Sequence, residues 1–333
     1  MKKVSYSLYI GIAVSLAFVA YAVTQMDLLK ALHSMLEINP AWIVPFIVAS
    51  FFSFYFRALR WWYIIEPTKK IPVKNLFPAL AIGFMGNMIF PMRLGEFIRA
   101  YVIAKKERIS ASGAFATIVV ERVFDVLATV VLLLIVMLIA SPQQITPDTW
   151  EKLKGVGAVF AAIMIIAFAA FYFLADGDNA LNRLFLKLIN LLPEKAAHKG
   201  AELFESFCSG LQVVTKGGHI IATLGYSALV WVSIVASYLF FLPMVGLPIS
   251  VEMACVVTLF VIFGVVFPSS PGFVWPVHAD VVLAIGFYGV DAGEALGMAI
   301  VIHLLIFMYT VLQGLFFLWS EKMTLSEISH SAD

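Results

Sequence analysis

Residues 111–140 read ASGAFATIVVERVFDVLATVVLLLIVMLIA, a stretch of 30 residues whose only charges are Glu121, Arg122 and Asp125. An α-helix needs about 20 consecutive apolar residues to cross the hydrocarbon core of a bilayer, because it rises about 1.5 Å per residue. The stretch is therefore long enough and apolar enough for a complete crossing. It predicts a membrane-spanning helix with three charged side chains inside the bilayer.

The whole chain has the composition of a membrane protein. Of its 333 residues, 62% are hydrophobic and 13% are charged, whereas soluble domains carry about 25% charged residues. The net charge is +1, so no overall positive field attracts nucleic acid, and we expect no nucleic-acid partner. The two cysteines, Cys208 and Cys255, lack the spacing of a metal site. We expect neither a metal nor another cofactor.

Five further stretches are long and apolar enough to cross the bilayer. Together with the first, the predicted spans lie near residues 5–24, 41–62, 111–140, 155–175, 219–246 and 292–319. The span at 5–24 follows two lysines and resembles a secretory signal peptide, but its length of about 20 residues predicts an uncleaved helix. The sequence thus predicts an all-α polytopic membrane protein with about six transmembrane helices.

Two other apolar stretches, 76–92 and 251–289, are interrupted by proline and glycine. Lys and Arg are enriched in loops on the cytoplasmic side of a membrane. Such residues flank the first stretch on both sides: Lys69, Lys70, Lys74, Arg93, Arg99, Lys105, Lys106 and Arg108. We therefore expect the first stretch to enter and leave from the cytoplasm as a re-entrant hairpin. The second is expected to form a hairpin from the outer side, because Lys322 marks the end of the last span as cytoplasmic.

This topology predicts an inner (plasma) membrane protein with both termini in the cytoplasm. We expect residues 1–320 to form a single membrane domain and residues 321–333 a short cytoplasmic tail. Within the domain, segment 176–218 has apolar residues at helical spacing beside several lysines, which predicts an amphipathic helix on the inner leaflet. Two broken hairpins of opposite orientation are typical of inverted-repeat transporters, in which the broken helices meet near the middle of the membrane.

Charged side chains inside the bilayer cost roughly 2.5–3.5 kcal/mol each on insertion scales, so they mark candidate functional sites. The first group is Arg57 and Arg60, one helical turn apart, beside Trp61. One interpretation is a binding site for a substrate. The other is that both arginines extend to the cytoplasmic interface beside an interfacial tryptophan.

The second group lies at the end of the first hairpin, in the sequence PMRLGEFIR that begins at Pro91. Pro91 and Gly95 are expected to break the helix and to free backbone groups. The guanidinium groups of Arg93 and Arg99 suit a phosphate, and Glu96 is placed to hold an arginine. The alternative is a charged cap on a cytoplasmic amphipathic helix.

The third group is Glu121, Arg122 and Asp125. Residues three and four apart share a helix face, so Arg122 can reach Asp125. Such a group belongs either to a binding site or to a purely structural ion pair. The three groups together hold five arginines and three acids, a surplus of two positive charges. A lipid phosphate would balance this surplus if the groups converge.

On the second hairpin, Pro268, Pro271 and Gly272 are expected to break the helix, and His278 and Asp280 follow. His278 is a candidate for substrate binding and for coupling movement to protons, because imidazole titrates near neutral pH. A histidine that only packs against its neighbours is the alternative. Asp280 is the second candidate binding residue here.

These motifs resemble the family of lysylphosphatidylglycerol synthase transmembrane domains and their stand-alone flippase-like relatives. The resemblance covers nearly the whole chain, and it rests on RALRW at 57–61, NMIFPMRLGEFIR at 87–99, ERVFD at 121–125 and the pair Pro271-Gly272. It implies a membrane bundle associated with lipid translocation, including the flipping of aminoacylated phosphatidylglycerol. Because hydrophobic spans fill most of this sequence, we expect no synthase activity from it.

The second hairpin departs from the family pattern. Where relatives tend to read PGGxGxxE, this chain reads PGFVWPVH from Pro271 to His278. Phe273 and Trp275 replace two glycines, and His278 replaces the acid. Because of this difference, the family pattern does not identify the substrate of this chain, and it does not imply a carboxylate role at position 278.

We expect a flippase that transports a phosphate-bearing phospholipid or a polyprenyl carrier across the inner membrane. No GxxxxGK[ST] motif occurs, so ATP is not expected to drive it. One alternative is a lipid-modifying enzyme that uses Glu96, Glu121 or Asp125 as acid or base, although no HExxH motif or nucleophile elbow supports it. Another is an accessory subunit that presents lipid to a synthase or glycosyltransferase. The expected partners are membrane lipids with anionic headgroups.

Overall fold

The structure is a computed structural model that describes residues 27–90, 93–140, 217–266, 271–324 and 327, with parts of 151–204. In these ranges the chain forms helices joined by short turns. In chain order the helices are α1 (Leu28–Leu36), α2 (Ile43–Ile65), α3 (Val73–Ile89), α4 (Gly95–Glu107), α5 (Ala111–Ile139), α6 (Ala180–Ile189), α7 (Gly217–Met244), α8 (Val251–Val266), α9 (Val274–Gly286) and α10 (Ala292–Ser320). Short 3₁₀ turns at Pro40–Trp42 and Pro271–Phe273 precede α2 and α9.

Among the described residues, four helical segments are long and apolar enough to cross a membrane: Pro40–Ile65, Ala111–Ile139, His219–Met244 and Ala292–Ser320. They coincide with four of the six predicted spans. The predicted span at 5–24 lies outside the described residues, and only scattered residues of the span at 155–175 are described. The chain is a polytopic α-helical membrane protein, as the sequence predicts.

The first hairpin is larger than the sequence predicts. Helix α3 runs without a break through Pro78 and forms one arm. The chain then turns at Arg93, whose φ of 56° is left-handed, and α4 packs back along α3 as the second arm. The prediction that stretch 76–92 folds back on itself was therefore wrong. The charges of α4 gave it the appearance of a cytoplasmic loop, but the bundle supplies partners for them.

Glycine lets the two arms of the first hairpin approach closely. A Cβ atom at Gly95 would overlap the carbonyl oxygen of Gly83, and one at Gly86 would lie 2.9 Å from the Cα of Gly95. Gly95 is the first residue of α4 and does not have a positive φ. The helix is interrupted immediately before Gly95, where a break is predicted, but the left-handed residue of the turn is Arg93 and the structure shows a packing role for Gly95. Pro91 lies outside the described residues.

The second hairpin has the predicted broken form. Helices α8 and α9 are its arms, and the backbone at Gly272 and Phe273 is left-handed, with φ values of 73° and 53°. Pro271 begins the 3₁₀ turn that ends at Phe273. At the base of the hairpin, the Tyr288 hydroxyl donates a hydrogen bond of 3.0 Å to Glu252. Pro268 lies outside the described residues.

The two hairpins enter the bundle from opposite ends, and their tips meet. The base of the first lies where α10 ends, because Lys106 pairs with Glu321 at 2.5 Å. The base of the second adjoins the start of α10. At the tips, a Cβ atom on Gly272 would lie 3.5 Å from the carbonyl oxygen of Met88. The two broken segments thus contact each other, and their position near the middle of the membrane stays a prediction. The assignment of each end to cytoplasm or exterior stays a prediction.

Helix α6 lies in the segment for which an amphipathic helix is predicted. Its apolar side chains Leu184, Phe185 and Leu188 are exposed in the structure, as is Lys187 on the same helix. An exposed apolar face of this kind suits the surface of a bilayer. The helical conformation is confirmed here, and the contact with the inner leaflet stays a prediction.

Candidate functional site

The three charged groups of the sequence come together at one place between α2, α4 and α5. We call this set the charged cluster; its members are Arg57, Arg60, Arg93, Glu96, Arg99, Glu121, Arg122 and Asp125. Arg57 lies eight residues before the end of α2, and Glu121 ten residues after the start of α5. At 1.5 Å per residue, the cluster is roughly 12–15 Å from the end of the bundle that holds the base of the first hairpin.

Glu121 is the centre of the buried side of the cluster. Its carboxylate is completely buried and lies 2.7 Å from Nη2 of Arg99 and 3.1 Å from Nη2 of Arg60. Nη2 of Arg122 is 3.4 Å from the same carboxylate. A carboxylate removed from water needs such partners, because an uncompensated charge in a low-dielectric interior is strongly destabilising.

Asp125, one helical turn further along α5, accepts a second set of arginines. Nη1 of Arg60 lies 2.7 Å from its carboxylate, Nη1 of Arg122 3.2 Å and Nη1 of Arg57 3.4 Å. Arg60 also donates a hydrogen bond to Ser227 on α7. Because the side chain of Arg60 is wholly buried and that of Arg57 nearly so, the interpretation that these arginines extend to the interface was wrong.

Aromatic rings pack against the guanidinium groups of two arginines of the cluster. The guanidinium carbon of Arg99 lies 3.7 Å from the centre of the Trp61 ring, and that of Arg57 5.3 Å from the centre of the Phe84 ring. Trp61 is fully buried and donates a hydrogen bond of 2.9 Å to Thr117. Trp61 is therefore buried inside the bundle and is a platform for a cation.

One edge of the cluster is open. Arg93, Glu96 and Arg122 have side chains that are 20–29% exposed, whereas the side chains of Arg60 and Arg99 are at most 3% exposed. Glu96 is 4.0 Å from Nε of Arg93 and 3.8 Å from Nε of Arg122, both longer than a hydrogen bond. Within the described residues, the buried Nε atoms of four arginines have no hydrogen-bond partner: Arg60, Arg93, Arg99 and Arg122.

The candidate residues of the second hairpin do not join this cluster. Among the described contacts, neither His278 nor Asp280 forms an ion pair or hydrogen bond with its members. Nε2 of His278 lies 3.2 Å from Nδ1 of His303, and Nε2 of His303 donates to the carbonyl oxygen of Gly272 at 2.7 Å. Asp280 packs against Gly264 on the facing arm, and its Oδ2 atom is buried without a described hydrogen-bond partner.

His303 was missed in the sequence. It lies inside the apolar stretch GMAIVIHLLIF of α10. A titratable side chain in an apolar stretch is the same signal that made His278 a candidate. Because Nε2 of His303 must carry a proton to donate to Gly272, its neutral Nδ1 accepts from His278. The two histidines therefore fasten the turn of the second hairpin to α10.

Two cavities flank α2 and were also not predicted. One, of about 130 Å³, lies between α2, α7 and α10 and is lined by several hydroxyl groups: Ser50, Ser53, Ser237, Tyr238, Tyr309 and Thr310. The other, of about 350 Å³, is an apolar groove between α2 and α7, which we call the α2–α7 groove; its walls include Val48, Phe52, Phe56, Leu229, Val232 and Phe240. Both depend on helices that are distant in the sequence, so neither has a local motif.

The charged cluster holds no arrangement typical of a metal site. Within the described ranges, no three His, Cys, Asp or Glu side chains are grouped as metal ligands would be. What the cluster offers is a set of guanidinium groups beside aromatic rings, with unused Nε donors. Such groups bind planar or tetrahedral oxyanions through paired hydrogen bonds.

Curated proteins of archaea are similar to parts or most of this chain. A UPF0104 membrane protein of Methanothermobacter thermautotrophicus is 25% identical over 286 residues, which are 81% of this chain and 82% of that protein. A UPF0104 membrane protein of Methanocaldococcus jannaschii is 30% identical over 115 residues. Glycosyltransferase AglD of Haloferax volcanii is 29% identical over 118 residues, or 35% of this chain.

These similarities differ in how much of each relative they cover. The chain matches 19% of the length of AglD and 34% of that of the Methanocaldococcus protein. No solved structure matches the chain significantly. The sequence profile of the family described as "Lysylphosphatidylglycerol synthase TM region", in contrast, matches residues 8–314. That range contains the whole charged cluster and both hairpins, so the chain belongs to the family of lysylphosphatidylglycerol synthase transmembrane regions.

Proposed function

We propose that the protein is a lipid translocase whose charged cluster binds the phosphate of a membrane lipid or a polyprenyl carrier. The observation that carries this proposal is the net charge of the cluster. Five arginines face three carboxylates inside the helix bundle, and four arginines retain an Nε atom without a described hydrogen-bond partner. An anion would neutralise the excess charge and accept hydrogen bonds from the arginines at the open edge, Arg93 and Arg122.

A purely structural ion-pair network would be built differently. Burial of charge is costly, so a network that only holds helices together would be expected to be neutral and to satisfy its donors. This one keeps two more cations than anions. Its two most exposed arginines, Arg93 and Arg122, are also the ones with long contacts to Glu96. The open edge therefore has the chemistry of a binding site for an anionic headgroup.

The α2–α7 groove supplies a place for the lipid chain. Phe56 in its wall directly precedes Arg57, and Leu229 lies two residues after Ser227, which binds Arg60. The groove thus runs along the two helices that carry Arg57, Arg60 and Ser227, and it offers an apolar surface for an acyl or prenyl chain of a lipid bound at the cluster. The headgroup would travel through the bundle while the acyl or prenyl chain of the lipid stays in contact with the bilayer.

The two hairpins supply the path. Broken helices that enter from opposite ends and meet at their tips are the arrangement by which inverted-repeat transporters open a site to each side in turn. In this chain the contact between Met88 and Gly272 lies between the tips. Separation of this contact would let a headgroup pass from the cluster towards the other end.

The enzymatic alternative has less support from the geometry. Glu121 and Asp125 each lie within ion-pair distance of three arginines. A carboxylate held in this way is a poor general base, because the arginines stabilise its ionised form. We therefore propose that neither Glu121 nor Asp125 acts as an acid or base on the lipid.

A second candidate function is an accessory subunit that presents a lipid carrier to a glycosyltransferase. The similarity to glycosyltransferase AglD over 118 residues favours it. This role also needs a site for a lipid phosphate, so it uses the same cluster. The two functions differ in whether the lipid changes leaflet.

Transport into reconstituted vesicles tests the proposal. The purified protein is placed in phosphatidylcholine vesicles with a trace of chain-labelled lipid, and dithionite bleaches the label in the outer leaflet. We expect faster exchange of a phosphate-bearing anionic lipid than in empty vesicles, and loss of this increase in Arg93→Gln. Lys74→Gln removes one charge from an exposed position away from the cluster and should retain it. Rates equal to those of empty vesicles for phosphatidylglycerol, phosphatidic acid and a prenyl phosphate would overturn the proposal.

A further inference from the structure

We propose that the headgroup is a dianion, namely a lipid that ends in a phosphate monoester, and that Arg93 and Arg122 bind it at the open edge. This inference rests on the proposed function and narrows its substrate class. A phosphodiester headgroup carries one negative charge on phosphate, whereas a phosphate monoester carries close to two at neutral pH. The described members of the cluster leave a surplus of two positive charges, which a single bound dianion balances and a single phosphodiester does not.

The contacts show where the surplus lies. Arg57, Arg60 and Arg99 point at Glu121 and Asp125, and their side chains are almost completely buried. These three arginines form the closed side of the cluster. Arg93 and Arg122 share Glu96 at 3.8–4.0 Å, and their Nε atoms have no hydrogen-bond partner in the described part of the chain. Arg122 also reaches back to Asp125 at 3.2 Å and to Glu121 at 3.4 Å. Among the described ion pairs, Arg93 has only the long contact to Glu96, so it is the least neutralised arginine of the cluster and it lies at the open edge.

The backbone of Arg93 is a second, independent observation. Its φ of 56° is a left-handed conformation that favours glycine, and a long side chain is strained in it. Strain of this kind is concentrated at binding sites, where the side chain is needed in spite of its conformation. Arg93 thus keeps its guanidinium at the tip of the first hairpin at the expense of local stability.

Because of this strain, the guanidinium of Arg93 can be removed by a substitution that does not disturb the backbone. Arg93→Gly removes the guanidinium and relieves the left-handed backbone, so the fold should be retained. Arg108 is a matched control, because its φ is 53° and it is exposed at the end of α4, away from the cluster. Arg108→Gly therefore changes charge and backbone in the same way but should leave binding unchanged.

The substrate class is tested with two ligands that differ by one methyl group. Dioctanoyl phosphatidic acid ends in a phosphate monoester, and dioctanoyl phosphatidylmethanol is its methyl ester with one charge fewer. Binding of each to the purified full chain is measured by thermophoresis at pH 8. We expect phosphatidic acid to bind at least about 10-fold more tightly, and this preference to shrink at pH 5, where the monoester carries about one charge.

The variants separate the possible outcomes. In Arg93→Gly, the preference for phosphatidic acid should fall to less than about 3-fold, while Arg108→Gly should keep it. Equal binding of the two lipids by the unchanged protein would overturn the dianion and leave the proposed function standing. Binding of neither lipid above dioctanoyl phosphatidylcholine would overturn both.

Discussion

Nη2 of Arg99 lies 2.7 Å from Oε2 of Glu121, and both side chains are almost wholly shielded from solvent. This pair joins the second arm of the first hairpin to the spanning helix α5. The hairpin therefore depends on a carboxylate that the span buries, and the span depends on the arginines that neutralise it.

Glu121→Gln should consequently destabilise the protein. The change leaves Arg99 without its buried counter-charge and Arg60 with Asp125 alone, and removal of one partner from a buried ion pair costs about 3–5 kcal/mol. We expect a clear fall in the unfolding temperature in detergent. Glu96→Gln, at the open edge of the same cluster, is the control and should cost about 1 kcal/mol or less. An unfolding temperature equal for Glu121→Gln and the unchanged protein would contradict the assigned role of Glu121.

Gly95→Ala should also disrupt the first hairpin. The added methyl group overlaps the backbone of Gly83 on the facing arm, and overpacking of this kind costs about 1–3 kcal/mol or more. In Gly225→Ala, the methyl group meets no atom within 4 Å, and alanine stabilises a helix interior by about 0.5–1 kcal/mol relative to glycine. The two variants should therefore shift the unfolding temperature in opposite directions. Shifts in the same direction would count against the close packing of α3 on α4.

A bulky residue in the α2–α7 groove should slow transport of long-chain lipids. Ala236 lines this groove, and Ala236→Trp would fill part of its volume of about 350 Å³. We expect a several-fold slower exchange in the vesicle assay with unchanged binding of inorganic phosphate. Ala228→Trp, on the same helix outside the groove lining, should exchange lipid at the original rate. Equal exchange rates for Ala236→Trp and Ala228→Trp would show that the hydrocarbon chain of the lipid does not occupy the groove.

Loss of the His303 ring should loosen the second hairpin. His303→Phe leaves the carbonyl oxygen of Gly272 without its donor, and an unsatisfied buried group costs about 1–3 kcal/mol. Hydrogen exchange in the turn at 271–275 should then become faster. His278→Phe keeps the bond to Gly272 and should have a smaller effect. Unchanged exchange in His303→Phe would contradict the role of this residue as a fastener.

The orientation predicted from the lysine and arginine bias can be tested with single cysteines. Lys74 lies at the base of the first hairpin, and Lys30 pairs with Asp291 at the opposite end of the bundle. In a background without Cys208 and Cys255, Lys74→Cys should react with a membrane-impermeant maleimide only after the cells are opened. Lys30→Cys should react in intact cells. The reverse pattern would invert the predicted topology.

Several parts of this architecture follow from local sequence. The spans at 111–140 and 292–319 are long apolar runs, and their prediction needs only the thickness of a bilayer. The approach of Arg122 to Asp125 follows from helical spacing. The broken tip of the second hairpin follows from Pro271 and Gly272. In each case the residues of a single segment are sufficient for the prediction.

The remaining parts depend on contacts between distant segments. Helix α4 resembles a polar loop until Glu121 and Trp61 are placed beside Arg99. The role of Gly95 is visible only against Gly83, and that of His303 only against Gly272. The α2–α7 groove has no motif at all, because its walls come from residues about 180 positions apart. Hydropathy and spacing contain no information about such pairings.

The meeting of the hairpin tips at Met88 and Gly272 has an electrical consequence. Where two re-entrant segments shut a path from opposite ends, most of the voltage across the membrane falls over the thin contact between them. A dianion that leaves the arginines behind and passes this contact would move two charges through that field. At roughly 2.3 kcal/mol per charge for 100 mV, a negative cell interior would then favour outward transfer by about 4–5 kcal/mol. With the first hairpin on the cytoplasmic side, as predicted, the membrane potential would therefore favour export of the headgroup.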